Sequence, residues 1–216
     1  MTLDFTFTEE QEIFRKSFRE FLAKNVTPRA KEMIEAKVIT PEVHKALTEF
    51  GFPGLLLSEE WGGGNADYIT YIIGVEELTR ADLSGMVGDG VWYGAVCAKT
   101  IESQGTPQLK EEVLPNVVEK GWVTPLHSTE PACGTDFTRI ETTADKQNGE
   151  YIVNGEKLMV SGVPPTRKYG GGFLTTVNTN PEFRRRGRGM SVLYIPVTSN
   201  GMTFTSYEGM GIDLGG

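Results

Sequence analysis

The chain has 216 residues, a net charge of −8 and a composition that is 38% hydrophobic and 23% charged. That is the composition of a folded globular protein, so bulk disorder is excluded. The acidity disfavours a nucleic-acid partner, and no apolar run approaches a membrane span.

Met1-Thr-Leu-Asp-Phe5 does not read as a secretory leader. Two cysteines, Cys97 and Cys133, and two histidines, His44 and His127, form neither a disulfide framework nor a metal-ligand spacing. That usage points to a reducing cytoplasm. Charge is unevenly placed. Residues 1–118 hold 11 Lys/Arg against 19 Asp/Glu, and residues 119–216 hold 10 against 10. The shift predicts two units, 1–118 and 119–216.

The first unit reads as helices. Thr8-Glu-Glu-Gln11 is a capping-box pattern, and Ile13, Phe14, Phe18, Phe21 and Leu22 follow on one helical face. Pro28 marks a bend or stop. Thr40-Pro41 starts a second helix with Val43, Ala46, Leu47 and Phe50 on one face, and Gly51 closes it. The glycine run in 58–65 is a loop. Asp67 caps a helix bearing Ile69, Ile72, Ile73 and Leu78. Its apolar residues cover most of the surface, which predicts deep burial. A glycine-containing helix is expected over 84–104. Another starts at Thr106-Pro107 and carries Val113, Leu114, Val117 and Val118, with a kink at Pro115.

The second unit reads as strands. Asn148-Gly149 and Asn154-Gly155 each separate short alternating runs, the pattern of two-residue hairpins. The stretches 173–179, 191–196 and 202–207 are expected strands, and 178–189 a loop. The order predicts an α+β fold: an N-terminal all-α helical domain followed by an antiparallel β-barrel-like domain.

Chemistry concentrates in Leu126-His-Ser-Thr-Glu-Pro-Ala-Cys-Gly-Thr-Asp136, a strand end running into a glycine turn. Backbone N–H groups and the Thr129 and Thr135 hydroxyls there suit a phosphate or a heteroaromatic edge. An ordinary capped turn, with Glu130 and Asp136 as surface acids, fits the same spacing.

Ser128-Thr-Glu-Pro-Ala-Cys-Gly-Thr-Asp136 resembles the Thr-Glu-Pro-x-x-Gly-Ser-Asp run of the acyl-CoA dehydrogenase family. The segment Tyr151-Ile-Val-Asn-Gly-Glu-Lys-Leu-Met-Val-Ser-Gly162 is similar to its Asn-Gly-x-Lys hairpin. Gly51-Phe-Pro-Gly-Leu, Glu59-Glu-Trp-Gly-Gly63, Val75-Glu-Glu-Leu, Gly105-Thr-Pro-Gln-Leu-Lys and Leu114-Pro115 match the helical half in the same order.

The resemblance implies FAD against the middle domain and an acyl-CoA thioester between flavin and helices. By position, it implies Leu126 and Ser128 backbone groups at the flavin's pyrimidine edge and Thr129 near N1 and O2. Gly134 lies in the same turn. Thr135 stands by the FAD pyrophosphate and the thioester arm, and Ser161 where the family has a Thr beside flavin N5. Met159 stands where many members have Trp, and Leu126 replaces a usual aromatic. The donors would tune the cofactor while the cofactor does the chemistry. Arg184 and Arg185, in a run with Arg186 and Arg188, suit CoA phosphates, or form a solvated loop tip. His127 reads as a packing or solvent-facing side chain, and Cys133 as a small turn residue.

The family's C-terminal helical domain, which supplies the catalytic Glu, has no counterpart in 1–216. No Glu here takes that role by resemblance, so no catalytic residue is assigned. The expected function is therefore a flavin-dependent oxidoreductase component for α,β-dehydrogenation of an acyl-CoA. A second helical polypeptide would supply the base, in a homo- or hetero-oligomer, with electron-transfer flavoprotein as acceptor. A truncated form, or a non-catalytic subunit that binds a partner or a CoA thioester, stands beside it.

Overall fold

Thr8 opens the first helix, α1 (Glu9–Asn25), with a complete capping box: its hydroxyl accepts from the Gln11 amide and the Gln11 side chain accepts from the Thr8 amide. The computed structural model describes residues 5–82, 85, 87–88, 93–180 and 189–206. A short 3-10 turn containing Pro28 leads into α2 (Ala30–Ala36). Then come α3 (Pro41–Phe50), α4 (Tyr68–Ala81), α5 (Tyr93–Gln104) and α6 (Pro107–Lys120). Thr40, Asp67 and Thr106 each cap the helix that follows them. Gly51 and Gly121 end α3 and α6 in the left-handed conformation, as C-terminal glycines do. Part of the helix expected over 84–104 lies outside the described residues. Helix α6 continues through Pro115 to Lys120.

An aromatic layer holds the helices together. The Phe18 ring stacks on Phe52 at 5.0 Å and on Phe14 at 5.5 Å, and Phe50 packs against both Phe18 and Phe21. Burying several such side chains contributes about 1.5–3 kcal/mol each before the entropy of ordering is subtracted.

Helix α4 corrects its expectation. Tyr71, Ile73 and Leu78 are buried, but Tyr68, Ile69 and Ile72 are exposed, Ile72 by 60%. The apolar surface wraps around the helix, and α1 covers one side of it.

Among the described residues the sheet has five strands: β1 (Leu126–His127), β2 (Thr143–Gln147), β3 (Glu150–Asn154), β4 (Gly172–Asn178) and β5 (Met190–Pro196). Strand β4 is central. It pairs antiparallel with β5 along one edge and parallel with β1 and β2 on the other. The sheet is therefore mixed, not purely antiparallel. The parallel pairs arise because β4 returns beside β1 and β2 and runs in their direction, leaving β3 on the far side of β2. Between β3 and β4 the chain forms α7 (Val163–Tyr169), which the sequence reading did not anticipate. Pro164 and Pro165 hide α7, yet prolines are tolerated in a first turn because those N–H groups have no helical partner.

Asn148 (φ 52°) and Gly149 (φ 90°) form the expected β2–β3 hairpin. Asn154-Gly155 does not form a second. A side chain on Gly155 would meet Thr142 Oγ1 at 2.3 Å, so this glycine permits a close backbone passage, and 156–161 is not a strand. Residues 202–206 are likewise not a strand. Phe204 packs on Phe173 at 5.8 Å and under the Arg167 guanidinium at 4.9 Å. Leu174 joins Cys97, Ala98, Ile101, Val113, Leu114 and Val117 in one core cluster, which packs α5 and α6 against the sheet. Among the described residues no helix is long and apolar enough to cross a membrane.

Candidate functional site

Two segments outside the regular strands lie side by side. The Leu158 amide donates to the Thr129 carbonyl at 2.8 Å. The Lys157 ammonium donates to the Ser128 carbonyl at 3.4 Å and to Glu130 Oε1 at 2.7 Å. Residues 128–130 therefore lie against 157–158, and the sequence places Leu126, Ser128, Thr129, Met159 and Ser161 on or next to this one strip.

The strip's inner layer is polar and satisfied. Glu130 is buried, not a surface acid. Its carboxylate also accepts from the amides of Glu141 at 2.5 Å and Thr142 at 3.1 Å. Burial pushes the Glu130 carboxyl up, but Lys157 and the donors at Thr142 and Glu141 together outweigh it and hold the group below the usual carboxylate range. Lys157 also donates to the Thr176 hydroxyl on β4 at 3.1 Å. The sequence reading missed this pair, because Lys157 stands 27 residues from Glu130, beyond any local pattern.

The outer layer is polar and unsatisfied. The hydroxyls of Ser128, Thr129, Thr135 and Ser161 have no hydrogen-bond partner among the described residues. Met159 projects outward, 67% exposed, with its backbone at φ 54°. A planar heteroaromatic with an acceptor-rich edge fits this donor set, with the thioether available to pack on its ring. The residues therefore fit a flavin. Leu126 turns its side chain to the α5–α6 core and leaves its backbone at the strip.

The turn beyond is more open. Gly134, Thr135 and Asp136 are exposed, and a side chain at Gly134 would meet nothing. No described residue requires a glycine there. Asp136 accepts from the Thr138 amide and hydroxyl, which lowers its carboxyl pKa. Cys133 is a buried turn residue whose thiol donates to the Asp136 carbonyl at 3.2 Å. Burial pushes that thiol up, away from reactivity. Arg184 and Arg185 lie outside the described residues.

His127 packs, buried, with 6% of its surface exposed and its ring on Phe173 at 4.3 Å. Burial lowers its pKa to about 4, so the imidazole is neutral at physiological pH. Glu77 is buried as well and takes two bonds from Arg19, at 2.7 and 2.6 Å. A cavity of about 440 Å³ lies away from the strip, lined in part by Ser58, Trp61, Glu102 and Lys110. Its half-buried acid, Glu102, is already engaged by the Ser58 amide and Lys99.

Residues 8–120 match the family described as acyl-CoA dehydrogenase, N-terminal domain, and residues 126–214 match acyl-CoA dehydrogenase, middle domain. The short-chain-specific acyl-CoA dehydrogenase of Clostridium acetobutylicum is 32% identical over 160 residues, which is 74% of this chain and 42% of that protein. Acyl-CoA dehydrogenase from Geobacillus kaustophilus superposes with a TM-score of 0.86 at 28% identity, covering 99% of this chain and 55% of its own. Butyryl-CoA dehydrogenase from Megasphaera elsdenii gives 0.80 at 26% identity, covering 98% and 55%. The chain spans about half the length of the relatives it matches.

Proposed function

The chain belongs to the acyl-CoA dehydrogenase family, and from that premise we propose that it is the helical and middle-domain portion of a flavin-dependent oxidoreductase that desaturates an acyl-CoA between Cα and Cβ. The observation that carries the proposal is the strip of unpartnered hydroxyls at Ser128, Thr129 and Ser161, backed by a fully bonded layer at Glu130 and Lys157. The division at 118/119 into a helical and a β unit is part of the same reading.

When bound, FAD supplies the acceptor for the hydride that leaves the acyl β-carbon. Thr129, with the backbone of Leu126 and Ser128, donates to the pyrimidine edge and stabilises charge that develops there. Ser161 would hold the ring through its hydroxyl. Gly134 and Thr135 border the pyrophosphate and the thioester arm, and Arg184 and Arg185 take CoA phosphates. Met159 covers a ring edge. The base that removes the α-proton comes from helices outside this portion, expected on a separate polypeptide. Glu130 is held by Lys157 and two backbone amides and Glu77 by the Arg19 guanidinium, so neither is free to take a proton. Electron-transfer flavoprotein is the proposed acceptor, the cytoplasm the proposed compartment, and a homo- or hetero-oligomer the proposed assembly.

The test is a visible spectrum of the chain after incubation with FAD and desalting, with and without the helical complement. Retained flavin bands that bleach on adding an acyl-CoA support the proposal. No retained flavin in either mixture overturns it, in favour of a subunit that binds a partner or a CoA thioester without redox chemistry.

A further inference from the structure

An ammonium carries three donors, and the one on Lys157 has three acceptors. They are Glu130 Oε1 at 2.7 Å, the Thr176 hydroxyl at 3.1 Å and the Ser128 carbonyl at 3.4 Å. The Thr176 hydroxyl lies 3.5 Å from the same Ser128 oxygen. The Ser128 carbonyl is therefore turned inward, toward a buried cation and a hydroxyl on β4. Glu130 neutralises the cation; the contact with the backbone is a separate one.

The peptide unit between Ser128 and Thr129 carries that contact to the other face. No described peptide bond is cis, and in a planar trans unit the C=O and the N–H point in opposite directions. With the Ser128 oxygen drawn inward, the Thr129 N–H points outward. It has no hydrogen-bond partner among the described residues. The next peptide unit differs. Its Thr129 carbonyl accepts from Leu158, and its Glu130 amide donates to the Cys133 carbonyl at 2.8 Å. One N–H on the strip is thus left open while its own carbonyl faces a positive charge. A cation on a carbonyl draws electron density along the amide and makes the N–H at the other end a stronger donor.

We propose that Lys157 is a positioning residue: through the Ser128–Thr129 peptide it aims and polarises the Thr129 N–H toward an acceptor on the outer face that gains negative charge. That this acceptor is the pyrimidine edge of a flavin rests on the function proposed above; the aim and polarisation of the amide do not.

The experiment uses the full chain and two variants, Lys157→Gln and Lys157→Gln/Glu130→Gln. The first removes the cation and keeps an amide donor. The second removes both charges and keeps a donor facing an acceptor. Two readouts are taken: the base-catalysed exchange rate of the Thr129 amide proton by NMR without cofactor, and the affinities for oxidised and reduced FAD with the helical complement present. A polarised N–H gives up its proton more readily. Lys157→Gln should therefore slow Thr129 exchange about tenfold, and the double variant about threefold. A loosened segment would exchange faster instead. Lys157→Gln should weaken reduced FAD about tenfold more than oxidised FAD, which lowers the potential of the bound flavin by about 30 mV. Thr129 exchange that is unchanged or faster in Lys157→Gln overturns the proposal. Should that variant fail to fold, the same result in the double variant overturns it. Slowed exchange with no FAD retained, or with both forms of FAD weakened equally, supports the aimed amide and removes the flavin edge as its acceptor.

Discussion

The Lys157 ammonium lies 2.7 Å from Glu130 Oε1, with only 9% and 2% of the two side chains exposed. The same ammonium reaches the Ser128 carbonyl and the Thr176 hydroxyl. One buried cation thus joins the 126–130 segment, the 157–161 segment and the central strand. Lys157→Met should cost about 3–5 kcal/mol, because it strands a carboxylate inside the protein. Lys157→Met combined with Glu130→Met should cost less than the sum of the two single changes. Urea unfolding of the four proteins checks both statements. Additive losses would mean that the pair is not coupled.

Acid should destabilise the fold before the carboxylates titrate. Burial holds the His127 pKa near 4 against an ordinary 6.5, and burial lowers that of His44 as well. The unfolded chain therefore binds protons between pH 6.5 and 4 that the native chain refuses, and stability falls as pH drops through that window. For His127 the loss is roughly 3 kcal/mol when complete. Carboxylates held low, such as Glu130 and Glu77, add their losses at lower pH. Stability measured at intervals from pH 7 to pH 4 should decline in the wild type and flatten in His127→Leu. A profile that is level above pH 5 in the wild type would contradict the neutral, buried ring.

What was legible in the sequence was local. Thr8, Thr40, Asp67 and Thr106 announce their helices, because a cap is read from one residue and its near neighbours. Asn148-Gly149 announces its turn for the same reason. What failed was non-local. Asn154-Gly155 has the same letters as a hairpin, but Thr142 from another segment decides its backbone. The apolar wrap of α4 gave burial but not how much of it α1 would cover. At the site, the motif gave the positions of Ser128, Thr129 and Ser161, while their support did not show. Glu130 read as a surface acid because its partner, Lys157, is 27 residues away. The helix α7, with its two early prolines, was read as no element at all.

Met159 adopts φ 54° while 67% exposed. A side chain in the left-handed region costs about 1–2 kcal/mol, which glycine escapes, though glycine adds unfolded-state entropy of about 0.5–1 kcal/mol. Met159→Gly should leave the cofactor-free chain equally stable, or more stable by up to about 1 kcal/mol. The same change should weaken FAD, because the thioether that covers the ring edge is gone. Thermal melting and flavin titration separate the two effects. A clearly destabilised variant would mean that the methionine packs in a way its exposure does not suggest.

Tyr169 at the end of α7 connects the sheet half to the helical half. Its hydroxyl donates to the Ile39 carbonyl, and its ring stacks on His44 at 3.7 Å. His44 Nε2 in turn bonds the Gly121 carbonyl at 2.9 Å, just beyond α6. Tyr169→Phe keeps the stack and loses one hydrogen bond, so it should cost about 1 kcal/mol. Tyr169→Ala loses the ring as well and should cost about 3 kcal/mol, toward the low end for an aromatic truncation because the side chain is half-buried. In a cycle with His44→Ala, a coupling of about 0.5–1.5 kcal/mol is expected from the stacked pair. Helix α7 begins two residues after Ser161, so loosening its far end should also loosen the segment that presents the Ser161 hydroxyl. Tyr169→Ala should therefore weaken FAD while Tyr169→Phe leaves it nearly unchanged. Equal affinity in both variants would show that the docking of α7 does not reach the strip.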